Sequence, residues 1–159
     1  MRRLLTSLVA ILGLSAGTTT LVQAQNYHRV AKQTPDVYVV MFRADWCAPC
    51  KIVEPRLANA LNSIRDPRIE YVKIDLPAGH GDWNAHTVFD RGIVQQYNDW
   101  LGITGFAAII DGDTKRTLGC VNMNYDTGAM TNHIRNLQNK AKRNSHSFDM
   151  TCPKPNNRV

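Results

Sequence analysis

The chain has 159 residues, of which 43% are hydrophobic, and a formal net charge of +6. This length is the size of one ordinary domain with a single core, and we expect one domain. The first 24 positions hold two of the 19 basic residues and none of the 13 acidic ones, which leaves a net charge of +4 on the remainder. This charge is modest, and nucleic acid is not expected as a partner of a chain with the export signal described below.

The N-terminus has the features of a secretory signal peptide. Arg2 and Arg3 precede an apolar run at residues 4–14, and the small residues ending at Ala24 fit a signal peptidase site. The run is shorter than the roughly 20 residues needed to span a bilayer, so an uncleaved anchor is the weaker alternative. We therefore expect residues 1–24 to be removed by cleavage near Ala24, and the mature protein to be periplasmic or secreted.

The first half of the mature chain predicts a strand, a helix and a second strand. Residues 37–42 form a nearly continuous apolar and β-branched run, typical of a strand buried on both faces. From Cys50 to Ile64 apolar residues recur at helical spacing and predict one core-facing stripe. Residues 69–76 predict the second strand, which in a βαβ unit should lie parallel to the first.

A capping-box pattern at residues 87–90 predicts the start of the next helix, which should end near Gly102. Its inner face would be formed by four residues at helical spacing: Phe89, Ile93, Tyr97 and Trp100.

The last third of the chain predicts a hairpin, a helix and a tail. Residues 106–110 and 115–121 flank a turn-forming segment and predict an antiparallel hairpin. A final helix should begin near Thr127, and the polar residues 144–159 read as a tail. The predicted order is βαβαββα, in one α/β domain at residues 25–143.

All four cysteines lie in the mature region: Cys47, Cys50, Cys120 and Cys152. An even number in an exported chain favours disulfides. Cys47 and Cys50 stand where the first strand leads into the first helix. Backbone N–H groups and the macrodipole at a helix N-terminus favour a negative charge, so Cys47 should be an outward-facing, nucleophilic thiolate and Cys50 the resolving thiol. Pro49 suits a first helical turn, and Trp46 offers a flat apolar wall beside the pair.

Other uses of this cysteine pair stay open. Cys-x-x-Cys is half of a zinc site, but no second such pair follows, so we expect no metal site. An inert structural disulfide is a second alternative, and a metal or cluster bridged between two reduced chains is a third. The strand-to-helix context favours a redox pair that needs no further cofactor.

Residues 44–51 (ADWCAPCK) resemble the active-site segment of the thioredoxin family. Pro55 matches the proline that kinks the active-site helix of that family, and residues 102–106 resemble the approach to its cis-proline loop. Leu118 and Gly119 match the end of its last strand. The resemblance covers roughly residues 36–142 and implies a thioredoxin fold, a central mixed sheet flanked by helices. It also implies that the loop at Phe106 and Ala107 supports the active site.

Three features depart from this family pattern. Met41 stands where the family has a buried aspartate, which leaves Cys50 without the usual internal base. Ala107 stands where the family has a cis-proline. A cis bond before a residue other than proline costs about 2.5 to 4 kcal/mol, so we predict a trans Phe106–Ala107 peptide. The stretch between the second strand and Ala107 is longer than in a minimal thioredoxin, and could border the active site or cover the sheet edge. Three notable residues lie in this added part: His80, Trp83 and His86.

The second cysteine pair predicts a tethered tail. Cys120 follows Gly119 at a strand end that, by the resemblance, lies beside the active site, whereas Cys152 lies in the tail. A disulfide between them would close a loop worth about 3 to 4 kcal/mol. A second redox relay is the alternative.

The resemblance implies an exported thiol:disulfide oxidoreductase that acts on disulfides or thiols of exported proteins. The Ala48-Pro49 pair resembles the Gly-Pro of reducing thioredoxins more than the Pro-His of strong periplasmic oxidants, which favours a reductase. Such a reductase would need a membrane electron-transfer partner, because thiol reductants are scarce outside the cytoplasm. The alternative function is a thioredoxin-fold binding or assembly module with a mainly structural disulfide.

Overall fold

The computed structural model of the chain describes residues 34–76, 84–145 and 151–156, all within one compact unit, Lys32–Val159. The predicted signal peptide, His80 and Trp83 lie outside these described residues. Within them, the elements follow in this order: β1 (Val37–Arg43), α1 (Cys50–Ile64), β2 (Ile69–Asp75), α2 (Ala85–Phe89), α3 (Val94–Asp99), β3 (Phe106–Asp111), β4 (Thr117–Asn122) and α4 (Thr127–Lys142). In this part of the chain no helix has both the length and the apolar character needed to cross a membrane.

The strands form one mixed sheet in the order β2-β1-β3-β4. β1 pairs with β2 in parallel and with β3 antiparallel, and β3 pairs with β4 antiparallel. The central position of β1 explains its composition, because its first six residues are all buried. The mixed sheet flanked by helices that the resemblance implies is therefore confirmed.

Two long helices pack against each other beside the sheet. The buried stripe of α1 contains Cys50, Val53, Leu57 and Ala60, and Pro55 lies inside the same helix. The buried stripe of α4 contains Met130, Ile134, Leu137 and Ala141, which recur at helical spacing. The Asp126 carboxylate caps α4 by accepting a hydrogen bond from the Ala129 N–H at 2.7 Å.

The single helix predicted after the capping-box pattern is wrong, because the chain forms two short helices there. Gly92 has φ +66°, so the chain turns between α2 and α3 and the helical phase is reset. As a result Val88 and Ile93 are buried, whereas Phe89, predicted on the inner face, is 69% exposed. The helix begins at Ala85, and the residue before it, Asn84, makes no side-chain cap.

The hairpin between β3 and β4 closes through Asp111. Its Oδ1 accepts hydrogen bonds from the N–H groups of Asp113 at 2.9 Å and Thr114 at 2.8 Å. Lys115 has φ +59°, so it belongs to the turn, and β4 begins two residues later than the sequence predicts.

Candidate active site

The disulfide between Cys47 and Cys50 lies at the junction of β1 and α1. Their Cα atoms are 5.4 Å apart, and the Cys47 N–H donates to the carbonyl oxygen of Ala44 at 3.1 Å, which closes the turn before the pair. Pro49 precedes the first helical residue with φ −59° and ψ −30°, angles that its ring favours. The strand-to-helix placement predicted for the pair is the one observed.

The first backbone N–H of α1 points at the first sulfur. The N–H of Cys50 donates to Cys47 Sγ at 3.2 Å. A helix N-terminus leaves such N–H groups without backbone partners, and here one of them is directed at the atom that would carry the negative charge after reduction. This geometry favours a thiolate on Cys47.

The predicted outward-facing Cys47 is wrong for this oxidised state. Cys47 is 3% exposed and Cys50 is 2% exposed, whereas the neighbouring Trp46 is 61% exposed. The cover comes from the loop before β3, where Gly105 has φ +90°. A Cβ atom on Gly105 would lie 2.8 Å from Pro49 Cβ and 3.6 Å from Cys47 Sγ, so the backbone itself packs against the pair.

One carbonyl group connects this loop to the second cysteine. The carbonyl oxygen of Phe42, in β1, accepts a hydrogen bond from the Gly105 N–H at 3.0 Å and lies 3.9 Å from Cys50 Sγ. In the disulfide the Cys50 sulfur carries no proton, so this is a packing contact. After reduction, the Cys50 thiol can donate to the same oxygen.

The two departures from the family pattern lie side by side in the sheet. Met41 is fully buried in β1, directly opposite Ala107 in β3, so an apolar pair occupies this point. The described residues contain no cis peptide bond, so the Phe106–Ala107 peptide is trans, as predicted. Phe106 stacks on Phe42 with ring centroids 5.0 Å apart. Phe106 and Ala107 lie in β3, and the close approach to Cys47 is made by Gly105 in the loop before this strand.

Residues 18–87 match the family model for thioredoxin. Together with the mixed sheet flanked by helices, this match identifies a thioredoxin fold. Over 52 residues it is 38% identical to Thioredoxin H8 from Arabidopsis thaliana, an alignment that covers 33% of this chain and 34% of that protein. The chain thus spans about a third of the length of this curated relative.

Two solved structures resemble parts of this chain. One is titled "Structure of a malarial protein"; it is 19% identical, has a TM-score of 0.39, and the match covers 63% of this chain and 94% of that one. The other is a disulphide isomerase from Xylella fastidiosa Temecula1, 21% identical with a TM-score of 0.40, matched over 67% of this chain and 81% of that one.

An ion-pair cluster around Arg43 fixes the segment that leads from β1 into Cys47. Arg43, the last residue of β1, donates to Asp45 at 2.6 Å, to Glu54 in α1 at 2.9 Å, and to Asp75 at the end of β2. The hydrogen bond to Asp45 raises the pKa of Arg43, and Asp75 and Glu54 raise it further, although burial acts in the opposite direction. Sequence reasoning missed this cluster because its carboxylates come from three separate segments.

The second pair of cysteines is also joined in the structure. Cys120, fully buried in β4, forms a disulfide with Cys152, and their Cα atoms are 4.8 Å apart. The tail is thereby attached to β4, an edge strand of the sheet. Of the three residues noted in the longer segment, His86 is the one within the described residues, and it lies exposed on α2.

The described part of the chain contains no group of three or more His, Cys, Asp or Glu side chains arranged to hold a metal ion. Both sulfur atoms of the active-site pair are used in their disulfide. The arrangement can exchange this disulfide with an external thiol or disulfide, which is the chemistry that a paired Cys-x-x-Cys at a helix N-terminus supports.

Proposed function

We propose that this protein is an exported thiol:disulfide oxidoreductase in which Cys47 is the nucleophile and Cys50 the resolving thiol. The observation that carries the proposal is the 3.2 Å hydrogen bond from the Cys50 N–H to Cys47 Sγ at the start of α1. The match of the chain to the thioredoxin family supports it. No cofactor beyond the two cysteines takes part in the proposed reaction.

The reaction would proceed by two exchanges. The Cys47 thiolate attacks one sulfur of a protein disulfide, forms a mixed disulfide and releases the other substrate sulfur as a thiolate, which takes up a proton. The Cys50 sulfur, after losing its proton, then attacks Cys47 Sγ and releases the second substrate thiolate. Two electrons pass from the cysteine pair to the substrate, and the Cys47–Cys50 disulfide is restored.

The two cysteines should not be interchangeable in this reaction. In an insulin-reduction assay with dithiothreitol, we expect Cys47→Ser to fall to the rate without enzyme. Cys50→Ser should instead accumulate a mixed disulfide, because the nucleophile remains while the resolving thiol is lost. After mild reduction, iodoacetamide at neutral pH should label Cys47 first. Equal insulin rates for wild type and Cys47→Ser would refute the enzymatic role.

Reduction of substrates is the proposed direction. The Ala48-Pro49 pair, which resembles that of reducing thioredoxins, supports it. A reduction potential of the Cys47–Cys50 pair near −270 mV would agree with a reductase, whereas one near −120 mV would indicate an oxidant. A reductase outside the cytoplasm requires a membrane protein that supplies electrons, and its substrates would be disulfides of exported proteins.

Export rests on the N-terminal sequence. Arg2 and Arg3, the short apolar run and Ala24 support cleavage that leaves Gln25 as the first residue. N-terminal sequencing of the protein recovered from the periplasm or the medium tests this part of the proposal. A full-length protein retained in the cytoplasm would contradict it.

The burial of both cysteines favours a second candidate function. With Cys47 at 3% exposure, the disulfide could be mainly structural, and the domain would then serve as a binding or assembly module. The same insulin assay separates the two candidates. The binding function predicts no catalysis by wild type, and no change on Cys47→Ser.

A further inference from the structure

We propose that the C-terminal segment at residues 151–156, called here the strap, positions the loop that covers Cys47, and that Asn156 is its positioning residue. The loop comprises residues 101–105, between α3 and β3. The consequence for catalysis rests on the proposed function, whereas the positioning of the loop does not.

The strap is attached to the domain at its first half. Cys152 is bonded to Cys120 in β4, and the Cys120 N–H donates to Thr151 Oγ1 at 2.9 Å. The indole N–H of Trp100 donates to the carbonyl oxygen of Pro153 at 3.0 Å. A covalent bond and two hydrogen bonds therefore fix where the end of the strap can lie.

Asn156 then binds the exit of α3. Its backbone N–H donates to the carbonyl oxygen of Asp99 at 2.6 Å, and its side-chain Nδ2 donates to the carbonyl oxygen of Leu101 at 2.7 Å. The last carbonyl groups of a helix lack partners within that helix, so a donor supplied from elsewhere fixes the direction in which the chain leaves it. Here that donor comes from the strap.

The chain that leaves α3 reaches Cys47 within four residues of Leu101. Gly102 and Gly105 have φ +87° and +90°, and the Gly105 backbone packs against Pro49 and Cys47 Sγ. Such left-handed glycines have other conformations available to them, so the loop needs external contacts to hold one shape. Asn156 supplies one at its start, and the Phe42 carbonyl oxygen accepts another from Gly105 at its end.

A second connection passes through the ring of Trp100. It packs edge-on against Phe42 and Phe106, with centroid distances of 5.6 and 5.4 Å. Phe42 carries the carbonyl group that contacts both Gly105 and Cys50. The strap therefore contacts Trp100, which packs on the rings of Phe42 and Phe106, as well as Leu101 at the start of the loop.

Removal of the Asn156 amide should loosen the loop and uncover Cys47 without altering either thiol. In Asn156→Ala we expect hydrogen exchange at residues 102–105, and alkylation of Cys47 after mild reduction, to be faster by about five- to tenfold, the effect of one hydrogen bond. The KM for insulin should change more than kcat. Asn156→Asp should behave like the alanine variant, because a carboxylate cannot donate to the Leu101 carbonyl.

Lys154→Ala is the matched control, since Lys154 is an exposed strap residue. The control should leave exchange and alkylation unchanged. Rates in Asn156→Ala equal to those of wild type, or the same increase in both variants, would overturn the inference. If Asn156→Ala does not fold, a Cys120→Ser, Cys152→Ser double variant releases the strap, and unchanged exchange at residues 102–105 would then overturn it.

The test separates this inference from the proposed function. A wild type that does not reduce insulin, together with faster exchange and alkylation in Asn156→Ala, would refute the enzyme and retain the positioning role. An active wild type, together with unaltered hydrogen exchange of the loop in Asn156→Ala, would retain the enzymatic function and refute the positioning role.

Discussion

Gly105 is the residue at which the loop before β3 meets the active-site turn. Two separate requirements exclude a side chain there: a φ of +90°, and a distance of 2.8 Å from the position of its Cβ atom to Pro49 Cβ. Gly102 shares only the first requirement, because its φ is +87° and a Cβ atom there would meet nothing within 4 Å. Comparison of substitutions at the two glycines therefore distinguishes the effect of backbone strain from the effect of the contact with Pro49.

We predict that Gly105→Ala disturbs the active site and that Gly102→Ala does not. Each variant should lose about 1 to 2 kcal/mol of unfolding free energy from its left-handed backbone. Gly105→Ala should lose about 1 to 3 kcal/mol more from overpacking against Pro49, and its Cys47 alkylation rate should change. Urea denaturation and iodoacetamide labelling measure the two effects. Identical results for both variants would show that the contact with Pro49 contributes nothing.

At this scale, the sequence predicts the chemistry of residues better than their surroundings. The spacing of Cys47 and Cys50, with an apolar strand before them, is enough to predict a disulfide-forming pair at a helix N-terminus. The burial of Cys47 could not be predicted, because Gly105 covers it from a distant part of the chain. The sequence shows that Gly105 directly precedes Phe106. It contains no local pattern from which the contact of the Gly105 backbone with Pro49 and Cys47 could be predicted.

Periodicity predicted secondary structure well where an element packs along its whole length. α4 and β1 agree with the sequence because each presents a continuous apolar stripe or run to the core. The prediction was wrong for the segment that contains α2 and α3, because the apolar residues of two short helices on either side of Gly92 have the spacing expected of one longer helix. Tertiary contacts, including those of Asn84, decide where such short helices begin and end.

The side-chain amide of Asn84 forms hydrogen bonds with both backbone polar groups of Asp75, the last residue of β2, as a neighbouring strand would. Its Nδ2 donates to the carbonyl oxygen of Asp75 at 2.6 Å, and its Oδ1 accepts from the Asp75 N–H at 3.2 Å. The side chain is 6% exposed, so backbone groups at the end of the edge strand are bonded away from bulk water. Loss of the amide would leave them without this partner.

We predict that Asn84→Ala lowers the unfolding free energy by about 1 to 3 kcal/mol, the cost of leaving partly buried backbone groups without this partner. Asn84→Asp keeps the acceptor but loses the donor, so it should also be destabilised. Asn62→Ala, at an exposed position of α1, is the control and should stay within about 0.5 kcal/mol of wild type. Thermal or urea unfolding measures all three, and a stable Asn84→Ala would contradict the structural role.

On the scale of the whole molecule, a polar cluster joins the start of β1, the turn before β2 and the end of α4. Gln138 Nε2 donates to Asp36 Oδ2 at 2.9 Å and to Asp66 Oδ2 at 2.8 Å, and Lys142 lies 3.3 Å from Asp36. Burial raises the pKa of Asp36, but hydrogen bonds from Arg68, Gln138 and Lys142 together hold it below the ordinary value of 3.8. The hydrogen bond from Gln138 is the main cause of the lowered pKa of Asp66.

Two carboxylates with lowered pKa values should stabilise the fold above about pH 4. The folded state binds their protons less readily than the unfolded chain, so this stabilisation is complete above the unfolded value of 3.8 and is lost as the pH falls through the lower folded values. We predict a steep fall of Tm below pH 4, and a shallower one in Asp36→Asn. Asp113→Asn, at an exposed turn position, should keep the wild-type slope. Equal slopes in all three proteins would contradict the prediction.

The parallel pair β1–β2 and the antiparallel hairpin β3–β4 were predictable from the βαβ unit and the turn between the last two strands, whereas the mixed sheet that joins them was implied by the family resemblance. The place of the tail was not. Its polar composition gave no sign that Asn156 and Pro153 bind the end of α3, contacts that depend on the fold being complete. The cysteine count indicated that the tail could be tethered, and Cys120 bonded to Cys152 is where the structure attaches it.

The two disulfides should differ in what they contribute to the molecule. Cys120 and Cys152 are separated by 32 positions and enclose α4, whereas Cys47 and Cys50 are separated by 3. In the chain-entropy account, the long loop is worth about 3 to 4 kcal/mol and the short one about 1.5 kcal/mol. Replacement of both cysteines by alanine should therefore lower the urea midpoint more for Cys120 and Cys152 than for the active-site pair.

The same difference predicts the order of reduction. A disulfide that stabilises the fold more strongly has the lower reduction potential, because its reduction also carries the cost of that lost stability. In glutathione buffers of decreasing potential, Cys47–Cys50 should open first while Cys120–Cys152 persists. Alkylation followed by mass mapping measures both bonds in one sample. The Cys47→Ala, Cys50→Ala variant shows whether the Cys120–Cys152 bond still forms without the active-site pair. Cys152 found free while the active-site pair is still oxidised, or Cys152 bonded to Cys47, would indicate a redox relay in place of a structural bond.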